Sequence, residues 1–187
     1  MNNIKIGIAS DHRGFTAKEF LKEYFDENDI YVIDFGTNSA ESVDFPVYAK
    51  KLGEAIQNEE INLGIAICGT GIGMSIVLNK MKGVYCAKVS NESEAILCRS
   101  HNNANVIAMS EEIDHEVMKK IVNNFIETPF SNVSKYKGRI AAVQFLHNGK
   151  FAVEVSTLLL KVGYLNVAVP ANYALMRQFF LYNTQER

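Results

Sequence analysis

An excess of charge of either sign is the first thing this 187-residue chain lacks: 19 lysines and arginines face 21 aspartates and glutamates, a formal net charge of −2. That balance excludes a general binder of nucleic acid or of a charged membrane surface, and it points to a small or specific partner. Cysteine is scarce and unpaired. Cys68, Cys86 and Cys98 are odd in number, have no Cys-x-x-Cys spacing and no histidine pair close by, which argues against both a disulfide framework and a zinc site. Met1-Asn2-Asn3-Ile4-Lys5 passes into a strand pattern without the basic region and apolar stretch of a secretory signal, so a cytoplasmic protein with reduced thiols is expected. The longest uncharged run in the C-terminal part, Val162 to Met176, is broken by Gly163, Asn166, Pro170 and Asn172 and is shorter than the roughly 17 to 25 apolar residues of a membrane helix. The run Gly69-Thr70-Gly71-Ile72-Gly73 fails the dinucleotide fingerprint GxGxxG at Met74, and no GxxxxGK[ST] phosphate loop occurs.

What is present is a core-forming composition, 48% hydrophobic, arranged as short apolar runs alternating with helical patterns. Strands are expected at Ile4 to Ala9, Ile30 to Phe35, Leu63 to Ile67, Val84 to Val89 and Asn105 to Met109. Helices are expected between them. One begins at Asp44-Phe45-Pro46, with an acidic cap and an early proline. Another runs from the glycines to Lys82-Gly83, where glycine offers a left-handed cap. A third is Glu92 to Arg99 behind the capping sequence Asn91-Glu92-Ser93-Glu94, and the last is Asp114 to Glu127. Such alternation predicts right-handed crossovers and a five-stranded parallel sheet covered on both faces, an α/β fold. Residues 1–140 form this domain. Residues 141–187 lose the rhythm and form an atypical C-terminal extension.

Ligands in parallel sheets bind outside the carboxyl ends of the strands. Asp11-His12 follows the first strand, Cys68 to Gly73 follows the third, and His101-Asn102-Asn103 ends a helix from which it is expected to reach the same edge. Cys68 stands before several glycine amides at a helix start, which favour a thiolate and hold an oxyanion. A base beside an oxyanion hole suggests proton abstraction alpha to a carbonyl. His101, flanked by Ser100, Asn102 and Asn103, suits acid/base work near neutral pH. Plainer alternatives stay open: a tight turn for the glycines, an inert buried thiol for Cys68, and a turn residue for His12. Cys86 and Cys98 read as packing residues, and Arg13, Lys135 and Lys137 as cations that either bind an anion or simply lie on the surface.

Ser10-Asp11-His12, Asp34-Phe35-Gly36-Thr37 with Glu41 to Pro46, Cys68-Gly69-Thr70-Gly71-Ile72-Gly73-Met74-Ser75 with Asn79-Lys80, and Arg99-Ser100-His101-Asn102-Asn103-Ala104-Asn105-Val106 together resemble the type B ribose-5-phosphate isomerases, over roughly residues 4–140. That family also includes galactose-6-phosphate and allose-6-phosphate isomerases. The resemblance implies a Rossmann-like, three-layer αβα fold and a cofactor-free, metal-free aldose-ketose isomerase. It implies a homodimer or homotetramer with active sites between subunits. It makes Cys68 the base, Thr70 and the amides of Gly69, Gly71, Ile72 and Gly73 the holders of an enediolate, and His101 the ring-opening acid. Asp11, His12 and Asn102 would position the sugar.

Three departures stand out. Asn103 replaces the aspartate usual after His-Asn, and Glu112 replaces an arginine after the fifth strand. Lys135 and Arg139, four residues apart, stand in for a later pair of phosphate-binding arginines, although lysine lacks the planar fork of arginine. The leading expectation is interconversion of ribose 5-phosphate and ribulose 5-phosphate. A six-carbon sugar phosphate, a non-catalytic sugar-phosphate binder and a thiol-redox enzyme are the alternatives, the last weakened by the missing second cysteine.

Overall fold

The computed structural model describes residues 4–147, and the chain divides into two compact units, one through Ser131 and one from Asn132 onward. From residue 148, the expected extension lies outside the described residues.

The first unit is built on β1 (Ile6–Ser10), β2 (Val32–Asp34), β3 (Leu63–Cys68), β4 (Cys86–Lys88) and β5 (Val106–Ser110), ordered β2-β1-β3-β5-β4 with every pairing parallel. The three inner strands are buried along almost their whole length, as near-continuous apolar runs must be when helices cover both faces. The edge strands β2 and β4 have only three residues each, which limits the unpaired backbone they present.

Alternation along the strands sorts side chains by size between the two faces. Ile6, Ile8, Ile65, Ile67, Ile107 and Met109 pack beneath α1 (Phe15–Glu27), α4 (Glu92–Asn102) and α5 (His115–Glu127), against Leu21, Phe25, Cys98, Ile121 and Phe125. Small residues dominate the other face. Ala9, Ala66, Cys68 and Ala108 lie there beneath α2 (Phe45–Gln57) and α3 (Ile72–Leu78), with Leu52, Met74 and Leu78 between. The result is the expected three-layer αβα fold, and the period of two puts Cys68 on the small-residue face.

Helix starts follow their capping residues. Asn91 accepts from the Glu94 amide at 2.9 Å, and Glu94 returns a bond to the Ser90 amide at 2.6 Å. Asp114 accepts from the amides of Glu116 and Val117. Asp44 occupies the N-cap of α2 but its carboxylate takes no cap bond, so Pro46 in the first turn is the operative signal. Helix α3 stops at Leu78, short of Lys82. Asn79 ends it: its side-chain amide bonds the Ser75 carbonyl and, across the turn, both the carbonyl and the N–H of Cys86. Gly83, at φ +77°, therefore closes the turn into β4 and not the helix.

In the second unit, α6 (Ser134–His147) is the described element.

Candidate active site

Strand order reverses between β1 and β3, since the chain moves outward to β2 and then returns to the other side of β1. Crevices open at such points, and the two loops leaving them are Asp11–Gly14 and Gly69–Gly71. Cys68 is the last residue of β3 and nearly buried. The Gly71 amide donates to its Sγ at 3.2 Å. That bond depends on Gly71 at φ +75°, where a Cβ would lie 2.9 Å from the Met109 carbonyl carbon and 3.1 Å from its nitrogen and oxygen. Glycine is required there both for the left-handed backbone and for the approach to β5.

Neighbouring loops clamp this turn. Ser110, paired with Cys68 in the register of β3 and β5, donates its hydroxyl to the Gly69 carbonyl at 2.7 Å, and the Glu111 amide donates to the Cys68 carbonyl at 2.9 Å. Arg13, from the β1–α1 loop, reaches over Gly69 and donates from Nε to Glu111 Oε1 at 2.6 Å, with Nη2 on the same oxygen. Its hydrogen bond and charge attraction to Glu111 raise the arginine pKa above its ordinary value, against a small opposing effect of burial, and Glu112 and Asp11 add to the rise. Sequence reasoning named Arg13 as a cation able to bind an anion but left Ser110 and Glu111 out of the site. The parallel register, which sets Ser110 beside Cys68, is the signal that would have found the first.

The remaining residues fall into two groups. Asp11 is buried and accepts from the Gly14 amide at 3.0 Å, closing its own loop, while Nδ1 of His12 lies 3.1 Å from the carbonyl and 3.2 Å from the amide of Val43, the tautomer deciding which bond forms. Thr70 is exposed and its hydroxyl accepts from the Ile72 amide at 3.2 Å. Two amides of the expected cradle, Gly71 and Ile72, are thus engaged by the protein's own sulfur and hydroxyl. Gly73 lies within α3, against the Phe45 ring. These residues converge on the carboxyl edge, as expected.

His101 and Asn102 do not. They form the last turn of α4, which carries the chain back from the carboxyl edge to the amino edge, where Asn105 bonds Gly64 at the start of β3 and Tyr85 before β4. The expectation that the helix end reaches Cys68 within one chain is corrected by the length of β3: Cys68 lies four steps along the strand from Gly64, roughly 13 Å. Asn103 is left-handed at φ 50° and caps α4, with its side chain 3.3 Å from Nη1 of Arg99. A short polar side chain suits that backbone, which accounts for the asparagine there. Lys135 and Arg139 lie on α6, exposed, both over the Tyr136 ring at 5.6 and 5.9 Å.

The other two thiols have different surroundings. Burial pushes Cys98 up to about 11, with partial relief from Arg99, and pushes Cys86 up further. Among the described residues no group of three or more histidine, cysteine, aspartate or glutamate side chains is arranged to hold a metal ion, and no helix is long and apolar enough to cross a membrane.

A model of the ribose/galactose isomerases matches residues 6–143. The chain belongs to that sugar phosphate isomerase family. Family members of known name bear this out: the ribose-5-phosphate isomerase B of Escherichia coli is 36% identical over 140 residues, which are 74% of this chain and 93% of that protein. The solved Clostridium thermocellum ribose-5-phosphate isomerase B superposes with a TM-score of 0.76 at 35% identity, covering 78% of this chain and 99% of that one. A second family structure, the ribose-5-phosphate isomerase B of Mycoplasma genitalium with bound ribulose-5-phosphate, gives a TM-score of 0.73 at 34% identity over 78% of this chain and 97% of that one. The resemblance read from the motifs and the αβα architecture both stand within this family.

Proposed function

We propose that this member of the family interconverts ribose 5-phosphate and ribulose 5-phosphate. Cys68, as thiolate, removes the proton from C2 of the open-chain aldose; the electron pair forms a C1–C2 double bond and negative charge gathers on O1. The same proton returned to C1, with the O2 proton passed to O1, gives the ketose. Amides of the Gly69–Gly73 turn, with the Thr70 hydroxyl, hold the enediolate oxygens. For the Gly71 and Ile72 amides this role means exchanging the Cys68 sulfur and the Thr70 hydroxyl for the enediolate. Asp11, His12 and Asn102 orient the sugar, and Lys135 and Arg139 are cations for its phosphate. His101 opens the furanose ring by giving a proton to the ring oxygen and taking one from the anomeric hydroxyl.

The observation that carries this reading is the 3.2 Å bond from the Gly71 amide to Cys68 Sγ, at the switch point of a parallel sheet. A thiolate in that setting is a base beside an oxyanion hole, able to accept the C2 proton while the amides of the turn hold the charge that develops. Because α4 ends at the opposite edge of the sheet, His101 and Asn102 serve the reaction only from a second copy of the chain. In support, Ile72 and Ile76 on α3, and Ile96 and Leu97 on α4 in the opposite helical layer, are exposed by 39% to 55%, apolar side chains suited to a partner.

The test is conversion of ribose 5-phosphate by the full chain, with Cys68→Ala and Cys68→Ser alongside and allose and galactose 6-phosphates as competitors. Turnover of the pentose that falls by about 10²- to 10⁴-fold in both variants is expected for loss of the base. Full turnover in Cys68→Ala refutes the mechanism, and preferential turnover of a six-carbon phosphate moves the assignment to that substrate.

A further inference from the structure

Cations around the carboxyl edge of the first unit are mostly spoken for. Lys18, buried, and Lys22 are both tied to Asp34 and Glu19, and Lys88, on the far edge strand, bonds the Ser90 hydroxyl. Arg13 differs. Its side chain is 58% exposed, and its Cγ and Cζ lie 3.8 Å from where a Gly69 Cβ would stand, beside the loop that follows Cys68. Both of its bonds to Glu111 go to one oxygen, Oε1, through Nε and Nη2. A guanidinium carries five N–H donors in a planar fork, so more than half remain for a second anion. Glu111, for its part, is anchored: its amide holds the Cys68 carbonyl, and the ion pair thereby spans from the loop after β1 to the loop after β5, over the glycine turn of β3 between them.

We propose that Arg13 receives the phosphate of the substrate and that Glu111 is the positioning residue that aims it. The inference rests on the proposed sugar-phosphate isomerisation and deepens it by naming a phosphate ligand from the same loop system that carries the base. Glu111 holds one side of the fork and leaves the other directed outward, and the guanidinium takes the phosphate there by charge-assisted hydrogen bonds. Aiming matters as much as charge, because a mobile arginine loses side-chain freedom on binding that a held one has already lost. Asp11, Glu111 and Glu112 all act on this guanidinium, so a dianion finds favourable potential only where the fork itself faces it.

The experiment uses the full chain and two probes, ribose 5-phosphate in steady-state turnover and inorganic phosphate as a competitive inhibitor and in calorimetry. Arg13→Ala is expected to raise both KM and the phosphate inhibition constant by about tenfold or more, the loss of a charge-assisted bond, while kcat stays within about threefold. Arg13→Lys restores part of the phosphate affinity, since charge returns without the fork. Glu111→Gln keeps an acceptor but removes the competing charge, and it tightens inorganic phosphate while leaving thermal stability near wild type. A merely structural strap behaves otherwise: Arg13→Ala and Glu111→Gln then lower kcat and the melting temperature together with KM and the phosphate constant unmoved, and the proposal falls. Should wild type turn over no sugar phosphate, the functional assignment fails separately; the Arg13 assignment then stands if calorimetry shows phosphate binding that Arg13→Ala weakens, and falls if it shows none.

Discussion

Replacing Gly71 by alanine tests the geometry of the site at its tightest point, because Gly83 provides an internal control with almost the same backbone. Gly71 has φ +75° and Gly83 φ +77°, but a Cβ at Gly71 meets Met109 backbone atoms at 2.9 to 3.1 Å, whereas one at Gly83 meets nothing within 4 Å. The left-handed conformation costs an alanine about 1–2 kcal/mol in either place. Alanine also restricts the unfolded chain, returning about 0.4–1 kcal/mol at both positions, a contribution that cancels in the comparison. Forcing a methyl group against the backbone of a central strand adds about 1–3 kcal/mol at Gly71 alone. The two variants should thus differ by about 1–3 kcal/mol, a separation in melting temperature of roughly 2–12 °C for a chain of this length. Thermal unfolding followed by far-UV circular dichroism reads the separation, and pentose phosphate turnover reads whether the amide bond to Cys68 is displaced in Gly71→Ala only. Equal melting temperatures with equal activities would show that β5 yields to the methyl group and that the turn is not held where described.

Three other predictions bear on thiols, acid stability and capping. With burial pushing Cys98 to about 11 and Cys86 higher still, neither forms appreciable thiolate near pH 8, so mass spectrometry after brief iodoacetamide treatment of the native protein should find both unmodified. Burial pushes Asp34 up, but the bonds from Lys18, Lys22 and the Gly36 amide outweigh it and leave the carboxyl below its ordinary value. Its contribution to stability is present above the unfolded-state pKa and is lost as pH falls through the folded-state one. Asp34→Asn should therefore flatten the acid limb of a pH–stability curve and cost about 3 kcal/mol at neutral pH, the low end for a broken buried pair because Glu19 still faces Lys18. An unchanged acid limb would contradict this. Asp114→Ala removes the acceptor for two first-turn amides of α5 and should cost about 1 kcal/mol in urea titration, whereas Asp44→Ala, whose carboxylate bonds neither, should lose less.

Local signals in the chain carried most of the architecture. Each inner strand is a run of β-branched and small residues bounded by polar turns, so β1, β3 and β5 were legible within two residues at each end. Asn91-Glu92-Ser93-Glu94 announced α4 because its caps act within four residues of one another. Long-range competition was not legible. Asn79 ends α3 by bonding a strand seven residues on, and nothing in the helical periodicity of Ile72 to Lys82 signals that preference. At the site, Cys68 and the glycines were readable because their chemistry lies in one contiguous segment. Arg13 was legible only as a cation able to bind an anion, and Ser110 and Glu111 were not legible, since their roles arise from strand order and register between β1, β3 and β5. His101 misled for a related reason: the residue type is right for acid/base work, but the direction of a crossover helix decides which edge of the sheet its end faces.

That opposition of Cys68 and His101 across the sheet makes two variants, each expected to lose turnover, worth mixing. If each catalytic centre draws its thiol from one chain and its imidazole from another, Cys68→Ala and His101→Ala, each dead alone, form hybrids in which one centre has lost both groups and the other has lost neither. Random exchange of subunits in a twofold dimer then returns about one quarter of the wild-type centres. A chain that kept both groups on the same edge would return none, so the geometry of a single crossover sets whether genetic complementation between two null alleles occurs.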